Sequence, residues 1–214
     1  MKSFTSTTPA ARNEPRWVNT LSTQLAQTQT IANFEGTVDL LLLGDSITEG
    51  CEWVGEYQQH LKGMKILMYG IGGDKTQHVL WRIENGILNG ISPKYGTLLI
   101  GINNFWPETS VEEVAAGAIA CGRAMYEKLP NTKLFHFGVF SVGSGAFSFN
   151  GKIDAINELI EAAAPSYNAH YVSLRDVFLT ADGHEIPGMI SADGIHITGK
   201  AYDAWGAKVK ALIA

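Results

Sequence analysis

Five short apolar runs constrain this chain more than any other feature: 38–43, 65–69, 97–100, 134–140 and 171–174. Each is followed by a turn and then by a segment with helical spacing. A strand that reads apolar at nearly every position has both faces buried, which is the pattern of a parallel sheet covered by helices. Alternating strands and helices with right-handed crossovers therefore predict a three-layer α/β/α sandwich around a parallel sheet of about five strands.

The helices carry their own signals. A helix is predicted over 16–34, with Trp17, Leu21, Leu25 and Ile31 on one face. Another is predicted over 111–129, where Val111, Val114, Ala115, Ala118, Gly122, Met125 and Leu129 form one stripe. Ser110 with Glu113 makes a capping box at its start, and Pro130 stops it. A third, over 200–213, presents Tyr202, Trp205, Val209 and Leu212. Residues 1–15 are expected to be a loosely held N-terminal arm, and 16–214 a single domain, since 214 residues bury a full core without staples.

Composition excludes several classes of function. The net charge is −5 with no lysine or arginine cluster, so nucleic acid and anionic membrane are excluded as partners. No apolar run approaches the roughly 18 residues of a membrane span, and residues 1–17 lack the apolar core of a secretory signal. The chain is expected to be soluble and cytoplasmic. Two cysteines, Cys51 and Cys121, read as buried free thiols, and no cysteine or histidine cluster suggests a metal site.

Ligands of such sheets bind at the carboxyl ends of the strands, so chemistry is sought just past each apolar run. Gly44-Asp45-Ser46 follows the first run. There a serine hydroxyl at a helix mouth is either a nucleophile or a helix cap. Gly70-Ile71-Gly72-Gly73-Asp74 follows the second. It lacks the spacing and the lysine of a phosphate loop, and offers either a Gly73 N–H to an anion or a plain tight turn capped by Asp74 or Thr76. Gly101-Ile102-Asn103-Asn104 follows the third. An asparagine amide is a neutral donor suited to an oxyanion, and is also a common turn residue. Asp193-Gly194-Ile195-His196 precedes the last helix, with a carboxylate and an imidazole three apart in a loop. A base for serine near neutral pH is a histidine oriented by a carboxylate. His60, His78, His136 and His170 fall inside predicted elements, which leaves His184, near Asp182, as the rival of His196.

The chain order Ser, Gly, Asn, Asp-x-x-His resembles the SGNH hydrolases, also called the GDSL esterase/lipase family. Gly44-Asp45-Ser46, Gly73, Gly101-x-Asn103 and Asp193-x-x-His196 stand at the family's four blocks, and the resemblance runs from about Val38 to the C-terminus. The stretch from Gly70 to Arg82 resembles the platelet-activating-factor acetylhydrolase catalytic-subunit and sugar O-acetylesterase branch. The resemblance implies a flavodoxin-like SGNH hydrolase fold and a serine esterase with Ser46 as nucleophile, His196 as base and Asp193 as its orienting carboxylate. It implies an oxyanion hole of Ser46 N–H, Gly73 N–H and the Asn103 amide, with no metal or organic cofactor. The expected substrate is a small-molecule acetyl ester of a carbohydrate or related alcohol; the alternative is a lipase or thioesterase for longer acyl chains. Phe105 and Trp106, just beyond Asn103, are expected either to wall the pocket or to pack in the core. The alcohol and the oligomeric state, homo-oligomer included, are left open.

Overall fold

The computed structural model describes residues 5–34, 36–105, 109–143 and 149–214. Five parallel strands, β1 (Leu40–Gly44), β2 (Ile66–Gly70), β3 (Tyr95–Leu99), β4 (Lys133–Phe137) and β5 (Ala169–Val172), form one sheet in the order β2-β1-β3-β4-β5. All of β1 is buried, and so are four residues each of β3 and β4, as continuous apolar runs require. The order is that of flavodoxin-like sheets.

The chain steps from β1 outward to β2, then returns past β1 to β3, β4 and β5. Right-handed crossovers then place the β1–β2 connection on one face of the sheet and the later ones on the other. The first connection holds α2 (Ser46–Gly50) and α3 (Gly55–Gln58); the others hold α4 (Thr76–Glu84), α5 (Val111–Lys128) and α6 (Asn150–Ala163). Packing agrees, because α4 lies on α5 and α5 on α6, whereas α3 packs on α8 (Gly199–Ile213). The short α7 (Arg175–Phe178) packs on α8 as well. Trp205 of α8 docks on the sheet through an edge-to-face contact with Phe137 at 5.9 Å, with Tyr57 at 5.0 Å on its other side. The first helix, α1 (Pro15–Asn33), runs beside edge strand β2: Gln24 donates to the Gly70 carbonyl at 3.0 Å, and Thr28 meets the Tyr69 hydroxyl at 2.8 Å. Among the described residues no helix is long and apolar enough to cross a membrane.

Two strands differ from their apolar runs for local reasons. The fourth run reaches 140, but β4 ends at Phe137. Beyond it, side-chain amides of α6 replace the ladder. Asn157 bonds both the N–H and the carbonyl of Val139, at 2.8 and 3.0 Å, and Asn150 does the same for Val142, at 2.8 and 2.9 Å. The fifth strand begins at Ala169, because Asn168 turns the chain through the left-handed region (φ 53°).

From Thr5 onward the expected N-terminal arm makes hydrogen bonds to the domain. The Thr5 backbone N–H and hydroxyl donate to Glu113 Oε1 at 3.1 and 2.7 Å, and the Ser6 hydroxyl to the Glu113 carbonyl at 2.6 Å. Thr76 Oγ1 donates to the Ser6 carbonyl at 2.8 Å, and Ala10 N–H to the Gln77 carbonyl at 3.0 Å. Serine and threonine read as loop composition in sequence, but here their polar groups find fixed partners on α4 and α5. Gly117 permits the approach, since a Cβ there would lie 2.4 Å from Thr76 Oγ1 and 2.9 Å from Ser6 Cβ.

Candidate active site

Parallel register brings three strand ends to one row: Gly44 pairs with Gly70 on one side and with Leu99 on the other. The segments that leave them, Asp45-Ser46, Ile71–Asp74 and Ile100–Asn104, therefore emerge together at the carboxyl edge. Both glycines are required by close approach. A Cβ on Gly44 would lie 2.1 Å from Thr48 Oγ1, and one on Gly70 would lie 2.0 Å from the Glu49 backbone nitrogen. The helix α2 thus sits directly on the strand ends.

Ser46 is the first residue of α2, and the cap is Asp45, whose carboxylate accepts from Ile47 N–H at 3.0 Å. The Ser46 side chain is not used as a cap. Its Oγ lies 3.0 Å from His196 Nε2. His196 Nδ1 in turn lies 2.6 Å from Asp193 Oδ2. The other oxygen, Asp193 Oδ1, accepts from the Ser191 hydroxyl at 2.7 Å and from the backbone N–H of Ile195 and His196, both at 2.9 Å. Desolvation pushes the Asp193 carboxyl up, but the hydrogen bonds from Ser191, Ile195 and His196 outweigh it and hold it well below the usual carboxylate range.

The loop that presents His196 is folded back on itself. Ser191 N–H donates to the His196 carbonyl at 2.7 Å, Thr198 N–H to the Met189 carbonyl at 3.0 Å, and Gly194 turns it with φ +77°. Tyr202, one turn into α8, donates to the Ile47 carbonyl at 2.8 Å and ties the helix after the His196 loop to the helix of Ser46. Gly50 makes room, because a Cβ there would lie 1.9 Å from that hydroxyl.

The rival histidine has a carboxylate too: His184 Nδ1 lies 2.9 Å from Asp182 Oδ2. That pair is almost wholly in solvent, at 80% and 73% exposed, and among the described residues no serine hydroxyl meets it. The four other histidines are structural or peripheral. His78 accepts from Lys75 N–H at 3.0 Å, and burial with the nearby Arg12 lowers its pKa to about 4. Burial lowers His136 to about 3, with Nδ1 meeting the Tyr167 hydroxyl at 2.8 Å. His60 pairs with Asp203 at 2.7 Å, and the ring of His170 lies 5.7 Å from Phe135.

Gly73 is exposed with φ +78°, and its N–H makes no hydrogen bond among the described residues. Asn103 lies in a 3-10 turn at Ile102–Phe105, and its Nδ2 donates to the Asp74 carbonyl at 2.9 Å. That bond fixes the amide plane and leaves one Nδ2 hydrogen to donate elsewhere. Asn104 has a different task. Its Oδ1 accepts from Thr76 N–H at 3.0 Å, so α4 is capped from a neighbouring loop and not by Asp74 or Thr76. Phe105 is 5% exposed, with its ring 6.0 Å from that of Phe149. Its burial agrees with the core packing that was one of the two expectations for it; Trp106 lies outside the described residues.

Sequence reading missed the groups beneath the site. Arg82 is fully buried and donates to the Gly44 carbonyl at 2.9 Å and the Tyr69 carbonyl at 3.0 Å, while its Nη2 lies 3.0 Å from Asp74 Oδ2. It locks the ends of β1 and β2 to the glycine loop. Its signal was present, because a charge three residues after Val79 falls on the buried stripe of α4. Glu49, one turn after Ser46, accepts from Gly72 N–H at 2.9 Å and pairs with Arg16 at 2.8 Å. Cys51 and Cys121 are free and buried, and burial raises both thiols above the ordinary range. Among the described residues no group of three or more His, Cys, Asp or Glu side chains is placed to hold a metal ion.

Residues 42–204 match the GDSL-like Lipase/Acylhydrolase family. The chain is 31% identical over 165 residues to the platelet-activating factor acetylhydrolase IB subunit alpha2 of Rattus norvegicus, covering 77% of this chain and 71% of that protein. A GDSL-like lipase from Bacteroides thetaiotaomicron has a similar structure, with TM-score 0.68 at 20% identity over 90% of this chain and 96% of that one. An acetylxylan esterase from Geobacillus stearothermophilus, solved as a catalytic mutant, has TM-score 0.68 at 16% identity over 83% and 94%. The strand order, the row of glycines and the matched residues agree: this chain belongs to the GDSL-like lipase/acylhydrolase family of hydrolases.

Proposed function

We propose that this chain is a serine esterase that passes the acyl group of a small ester to Ser46 and then to water, with acetyl the preferred group. One observation carries the reading: the unbroken relay from Ser46 Oγ to His196 Nε2 at 3.0 Å and from His196 Nδ1 to Asp193 Oδ2 at 2.6 Å. His196 takes the Ser46 proton as Oγ attacks the ester carbonyl, and Asp193 holds the ring with its Nδ1–H toward the carboxylate. The negative charge moves to the carbonyl oxygen. Ser46 N–H, the first of α2 and without an intrahelical acceptor, receives it together with Gly73 N–H and the remaining Asn103 Nδ2 hydrogen. Collapse expels the alcohol, which takes the proton from His196; water then attacks the acyl-enzyme by the same steps and frees the acid.

The acetyl preference draws on the similarity to an acetylhydrolase subunit and to the acetylxylan esterase, and a carbohydrate or related small alcohol is the proposed leaving group. The test measures kcat/KM on p-nitrophenyl acetate, butyrate and octanoate, with Ser46→Ala as control. Ser46→Ala should abolish hydrolysis and labelling by a fluorophosphonate without shifting the thermal melt. A retained rate in Ser46→Ala would sink the mechanism. A channel that buries the acyl chain gains about 0.8 kcal/mol per methylene. A steady rise to octanoate would therefore replace the acetylesterase reading with the lipase or thioesterase one.

A further inference from the structure

The N–H of Gly73 and the carbonyl of Gly72 are two ends of one peptide group. Arg12 Nη1 donates to that carbonyl at 2.8 Å. The preceding amide, Gly72 N–H, donates to Glu49 Oε2 at 2.9 Å. The Gly72–Gly73 unit is thus gripped from two directions, by Glu49 on the Ser46 helix and by Arg12 on the N-terminal segment. Gly73 has no side chain to hold it and sits at φ +78°. A Cβ there would lie 3.3 Å from Arg12 Nη1, so the guanidinium rests directly on the glycine.

Arg12 is itself immobilised. Its Nη1 also reaches Asp74 Oδ1 at 3.2 Å, and its Nε and Nη2 bond Glu14 at 3.3 and 3.1 Å. Ahead of it, the segment is pinned at Ala10 to Gln77 and at Ser6 to Thr76. Among the described residues this segment alone donates a cationic side chain to the Gly72 carbonyl, and it lies outside residues 42–204 that match the family.

We propose that Arg12 is a positioning residue of the oxyanion site: its guanidinium orients and polarises the Gly72–Gly73 peptide so that the Gly73 N–H is already aimed when charge develops. The inference rests on the reading of Gly73 as an oxyanion donor. A charged donor makes a hydrogen bond roughly twice as strong as a neutral one. Hydrogen bonds in a chain strengthen one another by about 10–30% each. A donor fixed before reaction spends nothing on reorganisation during it.

The test compares Arg12→Ala, Arg12→Gln and Arg12→Lys in the full chain on p-nitrophenyl acetate, with rates divided by the sites titrated with a fluorophosphonate. Asn103→Ala serves as reference. Arg12→Ala should lose about 10–100-fold in kcat with KM changed less than about twofold. Arg12→Lys should recover most of the loss, Arg12→Gln less, and millimolar guanidinium should partly rescue Arg12→Ala. A merely structural residue would lower the number of titrated sites and leave kcat per site alone; that result overturns the proposal, as does equal loss in Lys and Ala without rescue. If Arg12→Ala does not fold, the order of Lys above Gln decides by the same rule. Loss of kcat in Asn103→Ala with none in Arg12→Ala sinks the Arg12 role only. Full kcat in both sinks the oxyanion reading beneath it.

Discussion

Two aspartate–histidine pairs occupy loops of this chain at nearly equal distances, 2.6 Å for Asp193 with His196 and 2.9 Å for Asp182 with His184. What separates them is the third group, since among the described residues His196 Nε2 meets a serine hydroxyl and His184 meets none. His196→Ala should therefore lose several orders of magnitude in kcat/KM, as triad deletions do, and His184→Ala should keep its rate. Assays of both variants on one aryl acetate check this, and the reverse outcome would move the site to the other loop. Asp45 offers a second test at this scale. Burial, with the Asp74 charge adding to it, lifts its carboxyl from the ordinary range to about 7, against the bond from Ile47 N–H. Between pH 4 and 7 the folded state then holds a proton that the unfolded chain has released, so this group makes stability fall as pH rises. Asparagine caps a helix as well as aspartate, and it does not ionise. The melting temperature of Asp45→Asn relative to the parent should climb from pH 5 to pH 8. A difference that stays flat would mean Asp45 is already charged at low pH.

At the scale of elements, the site depends on how α2 and α8 are joined. α2 has only five residues, Ser46–Gly50, and helices this short do not hold themselves. It is held by the strand ends beneath it and by Tyr202, whose hydroxyl takes the Ile47 carbonyl at 2.8 Å. Removing that hydroxyl leaves the buried carbonyl only the weak Cys51 thiol donor at 3.9 Å, at a cost of about 1–2 kcal/mol. Tyr202→Phe should therefore melt roughly 2–8 °C lower, on the usual scale of 2–4 °C per kcal/mol for this chain length. Calorimetry checks the figure, and an unchanged melt would show that the glycine contacts alone seat α2. The strands and long helices were legible in sequence because their signals are local. The apolar run of β1, the stripe of α5 and the Ser110 cap, which accepts from Glu113 N–H, all appear within a few residues of one another. A helix opening at Ser46 was expected, but its shortness and the separate helices α3 and α7 were not legible, since a few residues carry no period.

Across the whole molecule, Arg82 is the post on which the carboxyl edge is built. It joins β1, β2 and the glycine loop through the Gly44 and Tyr69 carbonyls and Asp74, with no exposure to water. Removing one partner of a buried ion pair typically costs about 3–5 kcal/mol, so Arg82→Met should shift the urea midpoint strongly downward. A midpoint like the parent's would mean Asp74 is satisfied by Arg12 and Trp17 alone. The sequence by itself determined the sheet, the four segments that carry the polar groups, and the choice of Ser46, Asn103, Asp193 and His196 as candidates. Hydrophobic period and chain order are local properties, written where they act. Tertiary structure alone decided the rest. It brought His196, and not His184, to the Ser46 hydroxyl, placed the helix cap on Asp45, buried Phe105, and tied the N-terminal segment down as far as Arg12. Apart from the Asp45 cap, these depend on groups that meet across 28 to 150 residues of sequence, as Asn104 meets Thr76 and Ser46 meets His196. Hydrogen bonds act over about 3 Å, and only the folded chain brings such distant groups within that reach.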